Sequence, residues 1–422
     1  MTTLLSTFAE ARRSGRPVGI ASVCSAHPTV LRAALRRARR NGRPVLIEAT
    51  CNQVNHLGGY TGMTPRDFVA LTRSIAAEEG LDPSLILFGG DHLGPNPWRA
   101  EPAAAAMEKA QAMVRAYVEA GFTKLHLDAS MACRGDPPAL DDATVATRAA
   151  ALCATAEAAA REKGLPLPVY ILGTEVPVPG GADHALDHVE PTDPDAARTT
   201  IEIHRTLFAQ AGLDDAFART IAFVVQPGVE FGSDTVIAYD PAKAQALSAL
   251  LEAFPTLNFE AHSTDYQSAA ALAALVRDGY PILKVGPGLT FAYREALYAL
   301  DLIATELLPG YGDRPLMRTM ETLMTADPSD WRGHYHGDEA ALRLQRHYSY
   351  SDRIRYYWTR PEAQAAVSRL LDALAGRRIP PTLLHQFLPQ MAEAAADGSP
   401  AEALLIEAVD RVLADYDQAA NP

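Results

Sequence analysis

Eight short apolar runs with strand character recur along the first three quarters of the chain, each followed by an amphipathic or alanine-rich stretch of helical character. The runs are Val18–Cys24, Pro44–Thr50, Leu85–Phe88, Lys124–Asp128, Val169–Gly173, Ile221–Gln226, Asn258–His262 and Ile282–Val285. Strands that alternate with helices, with no hairpin signal between them, imply a parallel sheet. Eight such units fit an α/β fold closed as a (β/α)8 TIM barrel, for which ~250 residues is typical before insertions. An open doubly wound sheet would declare itself by a Gly-x-Gly-x-x-Gly turn after the first strand. None follows Cys24. From Pro309 the strand rhythm stops and the pattern is helical to the end. The expected organisation is a barrel over 1–308 and a helical C-terminal extension over 309–422. No Pro/Ser-rich linker separates them, so the extension should pack on the barrel.

Side chains along a strand alternate faces, and barrel active sites lie at the C-terminal strand ends. In Lys124-Leu125-His126-Leu127-Asp128 the leucines suit the helix side, which leaves His126 and Asp128 pointing inward. The same parity turns Glu48 and Thr50, and Glu260 and His262, into the barrel. Glu175 ends the fifth strand, Gln226 the sixth, and Lys284 lies on the eighth. The third run stops at Gly89-Gly90, and Asp91 and His92 follow at once. A buried carboxylate is costly unless it is paired. A divalent cation held by His92, His262 and the oxygens of Glu175 and Gln226 would satisfy several of these groups together. Lys284 carries a rival reading, since an inward barrel lysine can form a Schiff base with a carbonyl substrate. The surrounding acids and imidazoles favour metal chemistry, with Lys284 binding substrate. Gly286-Pro287-Gly288 turns into a helix after the eighth strand, where barrels often hold phosphate on backbone amides, and Ser263 could add a hydroxyl. Arg353, in a tail rich in arginine and tyrosine, is a further candidate for substrate contact.

The formal charge of −13 argues against nucleic acid or an anionic membrane as the main partner. No window approaches the ~18 apolar residues of a membrane-spanning helix. Met1-Thr2-Thr3-Leu4-Leu5 lacks the features of a signal peptide. Cys24, Cys51, Cys133 and Cys153 are scattered, with no Cys-x-x-Cys, as expected of reduced thiols. The expected location is cytoplasmic.

Four segments carry a resemblance: Gly89-Gly90-Asp91-His92-Leu93-Gly94-Pro95; Asn52-Gln53-Val54-Asn55 with Gly58-Gly59-Tyr60-Thr61-Gly62-Met63; Leu172-Gly173-Thr174-Glu175-Val176-Pro177; and Ser349-Tyr350-Ser351-Asp352-Arg353-Ile354-Arg355-Tyr356-Tyr357-Trp358. Together they are similar to the tagatose-bisphosphate aldolase non-catalytic (Z-type) subunit family, which includes ketose and ketose-6-phosphate 4-epimerases and is itself similar to class II aldolases. The resemblance implies that Asp91 is a base, His92 and His262 are metal ligands, and Glu175 is a carboxylate ligand. Gln226 stands where the class II pattern has a histidine. The implied activity is metal-dependent C4 epimerisation of fructose- and tagatose-type ketoses or their 6-phosphates by a retro-aldol route. Asp91 would act as general base and Glu260 or Asp128 would serve the other face. Glu48, Asn52, Gln53, Lys284, Gly286, Gly288, Ser263 and Arg353 are the candidates for substrate and phosphate. Zn²⁺ is the expected cofactor, with Ni²⁺ or Mn²⁺ as alternatives. The competing role is a stabilising partner of a class II aldolase catalytic subunit, or aldolase activity itself. Barrels of this kind also commonly self-associate, so a homo-oligomer is a second partner to consider.

Overall fold

The structure is a computed structural model that describes residues 4–173, 189–392 and 400–421. Its strands, in chain order, are β1 (Ile20–Cys24), β2 (Val45–Thr50), β3 (Ile86–Leu93), β4 (Lys124–Leu127), β5 (Val169–Leu172), β6 (Thr220–Val224), β7 (Glu230–Phe231), β8 (Val236–Ile237), β9 (Asn258–Ala261) and β10 (Ile282–Val285). Eight of them close a parallel barrel in the order β1-β10-β9-β6-β5-β4-β3-β2. The chain is therefore a (β/α)8 TIM barrel with a helical C-terminal region. Its helices start and stop on local chemistry. Thr64 and Asp67 form a reciprocal capping box at the start of Pro65–Glu79. Gly42 closes Pro28–Asn41 in the left-handed conformation.

Two features depart from the sequence reading. A small antiparallel hairpin, β7–β8, is inserted after β6. Its strands are two residues long, too short to show an alternating pattern. The third strand does not stop at Phe88 but runs through Gly89-Gly90-Asp91-His92. Pairing with β2 holds this stretch extended as far as Thr50 opposite Asp91. The glycines serve packing rather than termination: a Cβ on Gly89 would fall 2.3 Å from Glu48 Oε1.

The barrel interior is layered. At its N-terminal end Leu5 and Phe8 plug an apolar layer of Leu46, Ile171, Ile221 and Ile282. Above it Lys124, fully buried, lies between Glu48 (2.6 Å) and Glu260 (2.8 Å). Higher still, at the strand ends, are the polar groups of the mouth. The last helix, Ala401–Ala420, returns to the barrel, where the Ala420 carbonyl accepts from the Gly19 amide (2.8 Å). Arg37 pairs with Asp410 of that helix at 2.8 Å. The four cysteines are free and buried. Among the described residues no helix is long and apolar enough to cross a membrane.

Candidate active site

β3, β4, β9 and β10 deliver the mouth residues. Asp91, His92, His126 and His262 bring ligand atoms within 4.8 Å of one another, all buried. The three imidazole rings lie 4.9–5.2 Å apart, centre to centre. His92 sits at φ 48 and Ser263 at φ 52, a left-handed backbone uncommon for such residues and typical of sites where geometry is held for function. Lys284 Nζ is hydrogen-bonded to Asp91 Oδ1 and lies 3.4 Å from His262 Nδ1.

Each imidazole is oriented from behind. Asp128 lies 2.7 Å from His92 Nδ1, and Glu260 lies 3.0 Å from His262 Nε2. An ionised carboxylate only accepts, so each ring gives up that N–H and turns its other nitrogen toward the cluster. His126 Nε2 lies 3.0 Å from the Gly173 carbonyl, which also only accepts. Its Nδ1 must then be the lone pair, and it accepts from the His92 amide (3.2 Å). That same Nδ1 lies 2.9 Å from Asp91 Oδ1. Two acceptors facing each other at this distance call for a proton or a cation between them. Three inward nitrogens and one carboxylate form a donor set suited to a divalent transition metal.

Burial pushes the Asp91 carboxyl up, but the electrostatic pull of His92 and Lys284 and the contact with His126 outweigh it and hold it well below the usual carboxylate range. Asp128 is likewise held low: burial raises it, and the bond to His92 overrides that. His262 is pushed well below the ordinary histidine range, first by burial and then by Lys284, which keeps it neutral and able to ligate.

A cavity of about 450 Å³ opens over the cluster. Asp91, His92, His262, Lys284, Asn52, Gln53, Ser263 and Gly286 line it. Other expected residues stand elsewhere. Glu48 is buried below, paired with Lys124. Asp128 and Glu260, expected to move protons, do not line the cavity and instead orient imidazoles. Gln226 is not a member of the cluster: its Oε1 accepts from the amides of Gly228 and Val229, both at 2.9 Å, and so holds its own turn. The amides of Gly286 and Gly288 are taken by Asp265 Oδ1 at 2.9 and 2.7 Å. Arg353 is bonded to the Asp330 carbonyl and is not among the residues that line the cavity. Glu175 lies outside the described residues. The structure adds His126 to the converging ligands, and Lys124 beneath them. Both lie on β4 and share the inward parity of Asp128, one residue past its end, a signal present in the sequence.

These features define a (β/α)8 barrel with a metal-competent acid–imidazole cluster at its C-terminal mouth. Residues 5–421 match the family described as D-tagatose-1,6-bisphosphate aldolase subunit GatZ/KbaZ-like, and the chain belongs to that family. A D-tagatose 6-phosphate 4-epimerase from Agrobacterium fabrum (strain C58 / ATCC 33970) is 70% identical over 416 residues, 99% of this chain and 98% of the relative. A crystal structure from Sinorhizobium meliloti 1021, named a probable tagatose 6 phosphate kinase, is 54% identical with a TM-score of 0.88, over 95% of this chain and 100% of that one. The fructuronate-tagaturonate epimerase UxaE from Cohnella laeviribosi matches with a TM-score of 0.50 at 13% identity, over 95% of this chain and 81% of that one, a likeness of fold alone. The chain is thus a homologue of a sugar-phosphate epimerase.

Proposed function

We propose that the protein is a metal-dependent 4-epimerase that interconverts fructose 6-phosphate and tagatose 6-phosphate. The observation that carries this reading is the Asp91–His92–His126–His262 cluster, whose Asp91, His92 and His262 line one cavity, taken together with 70% identity to a named tagatose 6-phosphate 4-epimerase. In a 2-ketose the C4 hydrogen is not adjacent to the carbonyl, so enolisation alone does not invert C4. Breaking and re-forming the C3–C4 bond does. His92, His126 and His262 are the residues that would hold the cation, which when bound supplies Lewis-acid polarisation of the ketose oxygens.

The chain's own residues do the rest. Asp91, kept ionised beside His92 and Lys284, takes the C4 hydroxyl proton as the C3–C4 bond breaks. Lys284, bonded to Asp91, offers an ammonium to the negative charge that develops on oxygen. The aldehyde fragment turns over within the cavity, the enediolate left at C3 adds to its other face to re-form the C3–C4 bond, and the new C4 alkoxide recovers the proton from Asp91. Asp128 and Glu260 keep the rings aimed throughout. The pairing of Lys284 with Asp91 favours this role over a Schiff base, because a lysine held as an ammonium is not a nucleophile.

The test is incubation of the purified protein with fructose 6-phosphate and Zn²⁺, Ni²⁺ or Mn²⁺, without nucleotide, with products read by chromatography. Tagatose 6-phosphate supports the reading. Triose products without any C4 epimer would make the protein an aldolase. No turnover together with substoichiometric metal would favour the stabilising-subunit role that the family description names.

A further inference from the structure

One charged side chain in the cavity has no part in the bond-breaking chemistry above. Arg355 lies on the turn Arg353–Tyr357 of the C-terminal region and lines the same cavity as Asp91, His262 and Lys284. Its guanidinium stacks on Tyr356, 4.5 Å from the ring centre. It is tied down along one edge: Nη1 donates to the carbonyls of Ser351 and Asp352, and Nη2 donates to the Tyr356 hydroxyl at 3.0 Å. A guanidinium has five N–H groups. Nε–H and one Nη2–H therefore take no acceptor among the described residues. No described carboxylate makes a contact ion pair with it, and Asp352 and Asp265 act on it only through space, whereas the neighbouring Arg294 and Arg346 pair directly with Asp352 and Glu321.

N–H groups of a guanidinium that are removed from bulk water without an acceptor are unfavourable. A free pair of N–H groups on one guanidinium matches two oxygens of a phosphate. The other cradle at this mouth is already filled, because Asp265 occupies the amides of Gly286 and Gly288. We infer that Arg355 anchors the phosphate of a ketose phosphate, at the wall of the cavity built by the C-terminal region. The ketose as the remainder of the ligand rests on the proposed epimerase activity; the anion site itself does not.

Inorganic phosphate and fructose 6-phosphate are titrated calorimetrically into the full-length protein, its Arg355→Gln variant and its Arg355→Lys variant. kcat and KM are then compared on fructose 6-phosphate and on unphosphorylated fructose. Arg355→Gln should weaken binding of both phosphates on the order of 10- to 100-fold, the worth of charge-assisted hydrogen bonds. The preference in kcat/KM for the phosphorylated sugar should fall by the same factor, mainly through KM. Arg355→Lys keeps the charge without the fork and should retain part of the affinity. It carries the test if the glutamine variant does not fold. Unchanged phosphate affinity in the variants, a wild type that binds no phosphate, or an equal loss on both sugars would overturn the assignment. The two readings separate cleanly. Arg355-dependent phosphate binding without turnover sinks the epimerase and leaves the anion site standing. Turnover of fructose 6-phosphate with an unchanged KM in Arg355→Gln does the reverse.

Discussion

Lys124 is fully buried, as are its partners Glu48 and Glu260. Burial disfavours its charge, yet the two carboxylates outweigh that and raise its pKa above the ordinary lysine range. Removing one member of such a group leaves charge stranded in the barrel. Lys124→Met should destabilise the fold by about 3–5 kcal/mol, read as a shift in the urea midpoint, and Glu48→Gln in the same chain should restore part of it. His126→Ala should weaken metal binding by at least about 10–100-fold, the loss that even an outer partner's removal brings. Competition with a chromogenic chelator measures it, and an unchanged affinity would remove His126 from the ligand set. At this scale the inward parity of Lys124, His126 and Asp128 was legible from spacing alone. What each group touches was not. A carboxylate near a mouth reads equally well as a proton carrier or as an imidazole's anchor, and only contact distances distinguish Asp91 from Asp128 and Glu260.

At the scale of elements, the helix Pro287–Leu307 begins at Gly286 and is capped by a remote side chain, Asp265. Burial pushes the Asp265 carboxyl up to about 6, against the pull of the Gly288 and Gly286 amides. Its unfolded value near 3.8 is lower, so the native state binds the proton more tightly. Stability from this group is then fully present below about pH 4 and lost as pH rises through about 6. Asp265→Asn keeps an accepting oxygen without the charge. The variant should match wild type near pH 4 and exceed it at pH 7–8 by up to roughly 3 kcal/mol, as thermal or denaturant midpoints across that range will show. A gap that does not grow with pH refutes it. The glycine turn was recognisable in the sequence as an anion cradle. That the anion is the chain's own carboxylate was not, because the two stretches are far apart along the chain and meet only when β9 and β10 pair. The continuation of β3 through its glycines was hidden for a similar reason, since glycine ends a strand by default unless a neighbouring strand holds it extended.

For the molecule as a whole, the C-terminal region is both structure and wall. Leu404, Leu405, Val409, Leu413 and Tyr416 of the last helix are buried. Tyr416 also donates to the Thr264 carbonyl (2.7 Å), just beyond His262. Asp352 accepts from Thr290 at 2.7 Å and from Arg294 at 3.0 Å, which holds the Arg355 turn against the barrel. Truncation at residue 400 should therefore yield an insoluble or unfolded chain rather than a working barrel. Soluble expression and circular dichroism decide this, and a cooperative, folded 1–400 fragment would contradict it.

The order of strands and helices, the closure of the barrel and the inward set of acids and imidazoles were determined by the sequence itself. Alternation with period two and the strand–helix rhythm are local properties that survive without any knowledge of contacts. Tertiary structure alone decided which imidazole nitrogens face one another, which carboxylates serve as anchors, and which arginine of the tail reaches the cavity. Arg353 and Arg355 are two residues apart in one motif, yet one is bonded to the Asp330 backbone carbonyl and does not line the cavity, while the other does. Such choices depend on directions fixed by packing between distant segments, and the period of a single strand or helix does not carry that information.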